Sequence, residues 1–144
     1  MRWATRRHCH VDRAACVWLI RREVDRTAEF VFVDDPDDVP DDARPFDMRG
    51  VELGHHDGGC SFETMLRYFD IADPVLWDVA RIVHEADLAD DRYDAPEARG
   101  LDVICRGLSM THDDDVALLE ITDRVFDAIY AHRRRALLLG RDTT

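Results

Sequence analysis

Trp3-Ala4-Thr5-Arg6-Arg7, then Val11-Asp12-Arg13-Ala14-Ala15-Cys16-Val17-Trp18-Leu19-Ile20-Arg21-Arg22-Glu23-Val24, then Ala28-Glu29-Phe30-Val31-Phe32-Val33 decide the fold of this chain. The first run has the length of a strand. The second places Ala15, Trp18, Leu19 and Arg22 on one helical stripe with no breaker inside it. The third is a run of aromatic and β-branched residues, which reads as a strand. Strand, helix and strand in that order predict a right-handed crossover with parallel pairing.

Outward from that unit, Asp34 to Asp42 holds two prolines and six aspartates and reads as a solvated loop. Arg44–Met48 and Val51–His55 are expected as two further short strands around Gly50. Ser61 is expected to cap a helix over Phe62–Phe69, with Phe62, Met65, Leu66 and Phe69 inward. Asp73-Pro74 opens the next helix, Asp as cap and Pro at the first helical position, running to about Ala89. Its apolar residues form two nearly opposite stripes, Val75-Leu76-Val79-Ile82-Val83-Ala86 and Trp77-Ala80-His84-Leu88. That pattern predicts a helix sandwiched inside the domain, with His84 off the open surface. A weaker helix over Glu97–Met110 and a long helical stretch from His112 to Leu139, closed by Gly140, complete the chain. The expected fold is one α/β domain over residues 1–144: a small mixed sheet of three to four short strands in the first half and a helical second half.

The 144 residues suit a single core without disulfide or metal staples. The net charge of −12 comes from 24 Asp and 7 Glu against 19 Arg, with no Lys, Asn or Gln. Such a balance lacks the basic face that nucleic acid requires, so direct nucleic-acid binding is not expected. No apolar run reaches the ~20 residues of a membrane span, and the N-terminus lacks a secretory apolar stretch. A cytoplasmic location is the expectation. The four cysteines, Cys9, Cys16, Cys60 and Cys105, contain no CxxC pair and are expected to be reduced and unpaired.

Histidine carries the chemistry. Five of the seven sit in three acid-bearing clusters: His8-Cys9-His10-Val11-Asp12 where the first strand meets the first helix, His55-His56-Asp57 before the Gly58-Gly59 turn, and His84-Glu85-Ala86-Asp87. Imidazole with carboxylate is the ligand set of divalent transition metals, Zn, Mn, Fe or Ni. The expected ligands are His10, Asp12, His55, His84 and Asp87, with His8 and His56 next. Glu63 is the candidate proton acceptor of a catalytic reading. Cys60, at a helix start, permits a thiolate nucleophile or a soft metal ligand, although an inert buried thiol is the simpler reading. His112 and His132 have no clustered partners and read as solvated. GxSxG, GxxxxGK and GxGxxG motifs are absent.

The runs Trp3-Ala4-Thr5-Arg6 and Val11-Asp12-Arg13-Ala14-Ala15-Cys16-Val17-Trp18-Leu19-Ile20-Arg21-Arg22 resemble the opening of the C-terminal domain of the ChrB chromate-resistance family. The likeness continues through Pro45-Phe46-Asp47, Gly54-His55, Cys60-Ser61-Phe62-Glu63, Ile82-Val83, Ala86-Asp87, Gly100-Leu101 and Phe126-Asp127-Ala128-Ile129-Tyr130. The resemblance carries Asp12, Asp47, His55 and Asp87 position by position. His8, His10, His56 and His84 stand where the family pattern has other residue types. Full-length members regulate chromate-efflux operons and carry a DNA-binding part ahead of this domain, so the resemblance implies a sensing or accessory half. A fainter similarity, to manganese-dependent DHH-type phosphoesterases, rests on His10-Val11-Asp12 and Gly54-His55-His56-Asp57, which lacks an Asp before the His pair.

The function expected from this reading is a metal-binding ChrB-type domain associated with chromate resistance or sensing, with one His/Asp transition-metal site. Alternatives are a metal-dependent enzyme, hydrolytic or redox, using the same site, and a metal-free interaction module. The expected partners are a metal ion and an oxyanion or small-molecule substrate, with no membrane; self-association is left open. For an oxyanion, Arg6, Arg7 and Arg13 are the nearest donors in sequence.

Overall fold

The computed structural model describes residues 1–140. Strand β1 (Arg2–Arg6) is the centre of a three-stranded sheet of order β2-β1-β3. Both neighbours, β2 (Glu29–Val33) and β3 (Ala43–Pro45), pair with it in parallel. The expected mixed sheet is therefore parallel throughout, with three strands. Trp3, Ala4 and Thr5 are buried in succession, which only a strand covered on both faces allows.

Helix α1 (Val11–Leu19) continues into a π-helical turn over Ile20–Val24, together covering the predicted helix, and returns the chain to β2. Val51–His55 forms no strand: Asp47 takes φ +48°, its N–H donates to Leu53 O, and the chain turns back at once. Four helices follow: α2 (Ser61–Tyr68), α3 (Pro74–Leu88), α4 (Glu97–Thr111) and α5 (Asp115–Leu138). The cap of α2 is Cys60 rather than Ser61, whose hydroxyl donates to Asp47 instead. Asp73 caps α3 with Pro74 at the first position, as the sequence predicts.

Helix α3 packs against α1, α2, α4 and α5, the sandwiched position that its two apolar stripes require. Trp18 of α1 lies at the centre of an aromatic group with Phe62, Phe126 and Tyr130, joining α1, α2 and α5. All four cysteines are free and buried. Among the described residues no helix is long and apolar enough to cross a membrane.

Candidate functional site

In an open parallel sheet, loops leaving the carboxyl ends of adjacent strands whose connections diverge leave a crevice between them. Here β1 and β3 are those strands. The loop after β1 carries Arg7 to His10 into α1, and the loop after β3 carries Asp47 to His55. Between them opens a cleft of about 990 Å³ lined by residues of both loops and by Asp87 of α3.

Its floor is a knot of carboxylates around one imidazole. His55 Nε2 lies 3.0 Å from Asp12 Oδ2, 3.3 Å from Asp87 Oδ2 and 3.7 Å from Asp47 Oδ1. Asp12 is buried, and its carboxylate accepts the N–H groups of Ser61 (2.8 Å) and Phe62 (3.0 Å), the first two residues of α2. One carboxylate in the first turn of α1 thus serves the positive end of α2 as well. Asp47 accepts from the Ser61 hydroxyl at 2.6 Å and pairs with Arg13 Nε at 3.1 Å. Asp12, Asp47, His55 and Asp87, the four residues that the family resemblance carries, are gathered in this one knot.

The protonation of the knot follows from its crowding. Burial first, and then the Asp12 charge, push Asp47 up to about 7. The same two causes raise Asp87 to about 6. His55 rises to about 9, led by its hydrogen bond to Asp12. All three folded values exceed the reference values of 3.8, 3.8 and 6.5, so each group holds its proton more tightly when folded. The carboxyl contributions to stability are complete below pH ~4 and are lost as pH rises through 6 to 7; that of His55 is complete below 6.5 and is lost through pH 9. Metal-free protein should therefore lose stability from pH 5.5 to 8.5, by about 2–3 kcal/mol after discounting half-exposed His55 for solvent screening. Urea midpoints in chelator at three pH values check this, and a flat or rising profile would contradict it.

The other expected ligands part company here. His10 and His8 are exposed and line the cleft, as does His56, whose Nε2 donates to Glu52 O at 2.7 Å. Neither His10 nor His84 is within the ligand-atom group of Asp12, His55 and Asp87. His84 is fully buried, with Nδ1 on Glu63 Oε1 at 2.6 Å and Nε2 on Asp90 Oδ2 at 2.8 Å. Glu63 does not line the cleft. It is buried, accepting from Cys60 N–H and His84 on one oxygen and from the Tyr93 hydroxyl on the other. Burial pushes Glu63 up, but the hydrogen bonds from His84 and Cys60 outweigh it, and the net shift is downward. Burial lowers His84 while its two carboxylate partners raise it, with a net rise. These directions describe a buried ion pair. Glu63→Gln should cost about 2 kcal/mol by removing the charge from its hydrogen bonds with His84, Cys60 and Tyr93; a chemical-denaturation loss below about 0.5 kcal/mol would contradict it.

Cys60 is buried, and burial followed by the Asp12 charge drives its thiol up, against the thiolate option. His112 is half-buried and bonded to Leu108 O at the end of α4, while His132 is exposed. Sequence reasoning missed Asp90, Tyr93 and Asp115. Asp115, the first residue of α5, accepts the N–H groups of His8 (3.1 Å) and Cys9 (2.9 Å) and fixes the cleft's first loop, where His8 takes φ +65°. No local pattern announces a contact between residues about a hundred positions apart.

The fold and the knot define a class: a small α/β domain with a His/Asp cluster at the carboxyl edge of a parallel sheet. Residues 3–133 match the model of the ChrB C-terminal domain family, and the chain belongs to that family. Protein ChrB of Cupriavidus metallidurans is 37% identical over 131 residues, covering 90% of this chain and 40% of that protein. The chain thus spans less than half the length of this curated relative. No solved structure matches.

Proposed function

We propose that this domain binds one divalent transition-metal ion through Asp12, His55 and Asp87, and that it serves the chromate-resistance role associated with its family. The supporting observation is the knot itself: ligand atoms of these three residues lie within 4.8 Å of one another at the floor of an open cleft. Three carboxylates around one imidazole, offset only by Arg13 beside Asp47 and by the imidazole's own proton, concentrate negative charge that a divalent cation would relieve. Two oxygens and one nitrogen, without thiolate, suit Mn, Fe, Zn or Ni. Bound metal would supply charge compensation and a Lewis-acid centre.

The enzyme reading stands second, favoured by the openness of the cleft, since three protein ligands leave positions for water or substrate. Glu63 then acts as a positioning residue behind α2, because both its oxygens are occupied away from the cleft. The test is elemental mass spectrometry on untagged protein prepared without chelator. About one equivalent of one of these metals is expected, released by chelator without loss of helical signal. Metal-free protein that also fails to take up added Mn, Fe, Zn or Ni would overturn the reading.

A further inference from the structure

The wall of the cleft contradicts the charge of the molecule. The chain carries −12, yet Arg6, Arg7, Arg13 and Arg49 line this cleft, alongside His8, His10 and His56. Its acids are Asp12, Asp47 and Asp87, all at the floor and already engaged with backbone, Arg13 or His55. Arg7 is held by Asp34 at 2.7 Å and Arg13 by Asp47. Arg6 and Arg49 are exposed and pair with no carboxylate among the described residues. Both line the same cleft, and the planar fork of a guanidinium suits the oxygens of a phosphate. The start of α1 opens on the same cleft, and its cap, His10, makes no side-chain hydrogen bond to the first turn.

Size selects among anions. A bare four-oxygen anion occupies about as much space as three waters, under roughly 100 Å³, whereas this cleft is about 990 Å³, the scale of an organic ligand. Pro36, Met48 and Val51 are also among its lining residues and give it apolar surface. An inorganic oxyanion has nothing to place against those three side chains.

We propose that the cleft binds a small organic phosphomonoester, its phosphate between Arg6 and Arg49 and its organic body against Met48, Val51 and Pro36. The inference deepens the metal reading by naming what lies above the knot, but its anchors are residues outside the knot.

Calorimetric titration at low salt with ribose 5-phosphate, AMP, ribose and inorganic phosphate, each in chelator and again with added Mn²⁺, tests it. The phosphomonoesters should bind at least tenfold tighter than ribose or inorganic phosphate. Arg49→Ala and Arg6→Ala should each weaken them at least fivefold, while Arg124→Ala on α5 leaves them unchanged. Arg6 and Arg49 are exposed, so both variants should keep the fold, which circular dichroism verifies. Inorganic phosphate binding as tightly as the esters, or no binding of any phosphate in either condition, would overturn the proposal. Metal content is read separately and should not respond to Arg49→Ala, so failure here and failure of the metal reading are distinguishable.

Discussion

His55→Ala protein should keep its fold and lose its metal. The side chain is 47% exposed, and its polar contacts among the described residues are a hydrogen bond to Asp12 and ion pairs with Asp47 and Asp87. Removing it deletes no core packing and leaves Asp12 and Asp47 on their other partners, Ser61, Phe62 and Arg13. The same imidazole is the single nitrogen in the proposed donor set. Loss of groups that merely orient ligands costs 10–100-fold in affinity, so loss of the ligand itself should cost at least about 100-fold. The measurement is metal stoichiometry and a competition titration against a coloured chelator, with circular dichroism as the check on folding. Affinity within threefold of the parent would remove His55 from the site. His10→Ala is the informative comparison, since His10 lines the same cleft outside the group; it should change affinity far less.

Asp12→Ala should damage the fold as well as the site. Its carboxylate is buried and satisfies the first two N–H groups of α2 while contacting His55. Without it, two buried donors at the start of α2 lose their partner, each costing about 1–3 kcal/mol. The loss of a negative charge shared by two helix starts adds to this. A total of about 3–5 kcal/mol follows, a large share of the 5–15 kcal/mol that domains of this kind possess. Asn does not rescue: one of its two positions donates where both backbone groups need an acceptor. Urea midpoints for Asp12→Ala and Asp12→Asn check this, and a loss below about 1 kcal/mol in either would show that α2 holds its start by other means.

These two expectations separate what the sequence discloses from what it conceals. Local patterning was sufficient for β1, α1 and β2, because each writes its own period, and for the Asp73-Pro74 start of α3. The buried position of His84 followed from two apolar stripes on one helix. The partner of His84 did not follow. Spacing groups His84 with Asp87 on one helix side, yet His84 turns to Glu63 and Asp90 while Asp87 turns to His55. Residues three apart on a sandwiched helix can serve different neighbours, and only the packing of α2 and of the loop after α3 decides which. Val51–His55 failed as a strand for a related reason: a left-handed Asp47, whose N–H donates to Leu53 O, closes a turn that alternation alone does not reveal. Asp47 illustrates the limit best. No spacing marked it, and it entered only through family likeness, yet it ties Arg13, Ser61 and His55 together.

The hold of Asp115 on the backbone of His8 and Cys9 has a temporal meaning. On the ribosome the first loop of the cleft is made more than a hundred residues before its anchor. Every residue of the knot is made before that anchor, and until then the backbone of His8 and Cys9 lacks its acceptor. The cleft is therefore finished last, when α5 docks on α1 through Trp18, Phe126 and Tyr130. A nascent chain stalled before Asp115 would hold Asp12, Asp47, His55 and Asp87 in its sequence but lack the acceptor that fixes His8 and Cys9, so the loop facing the knot is the last part of the cleft to gain its anchor.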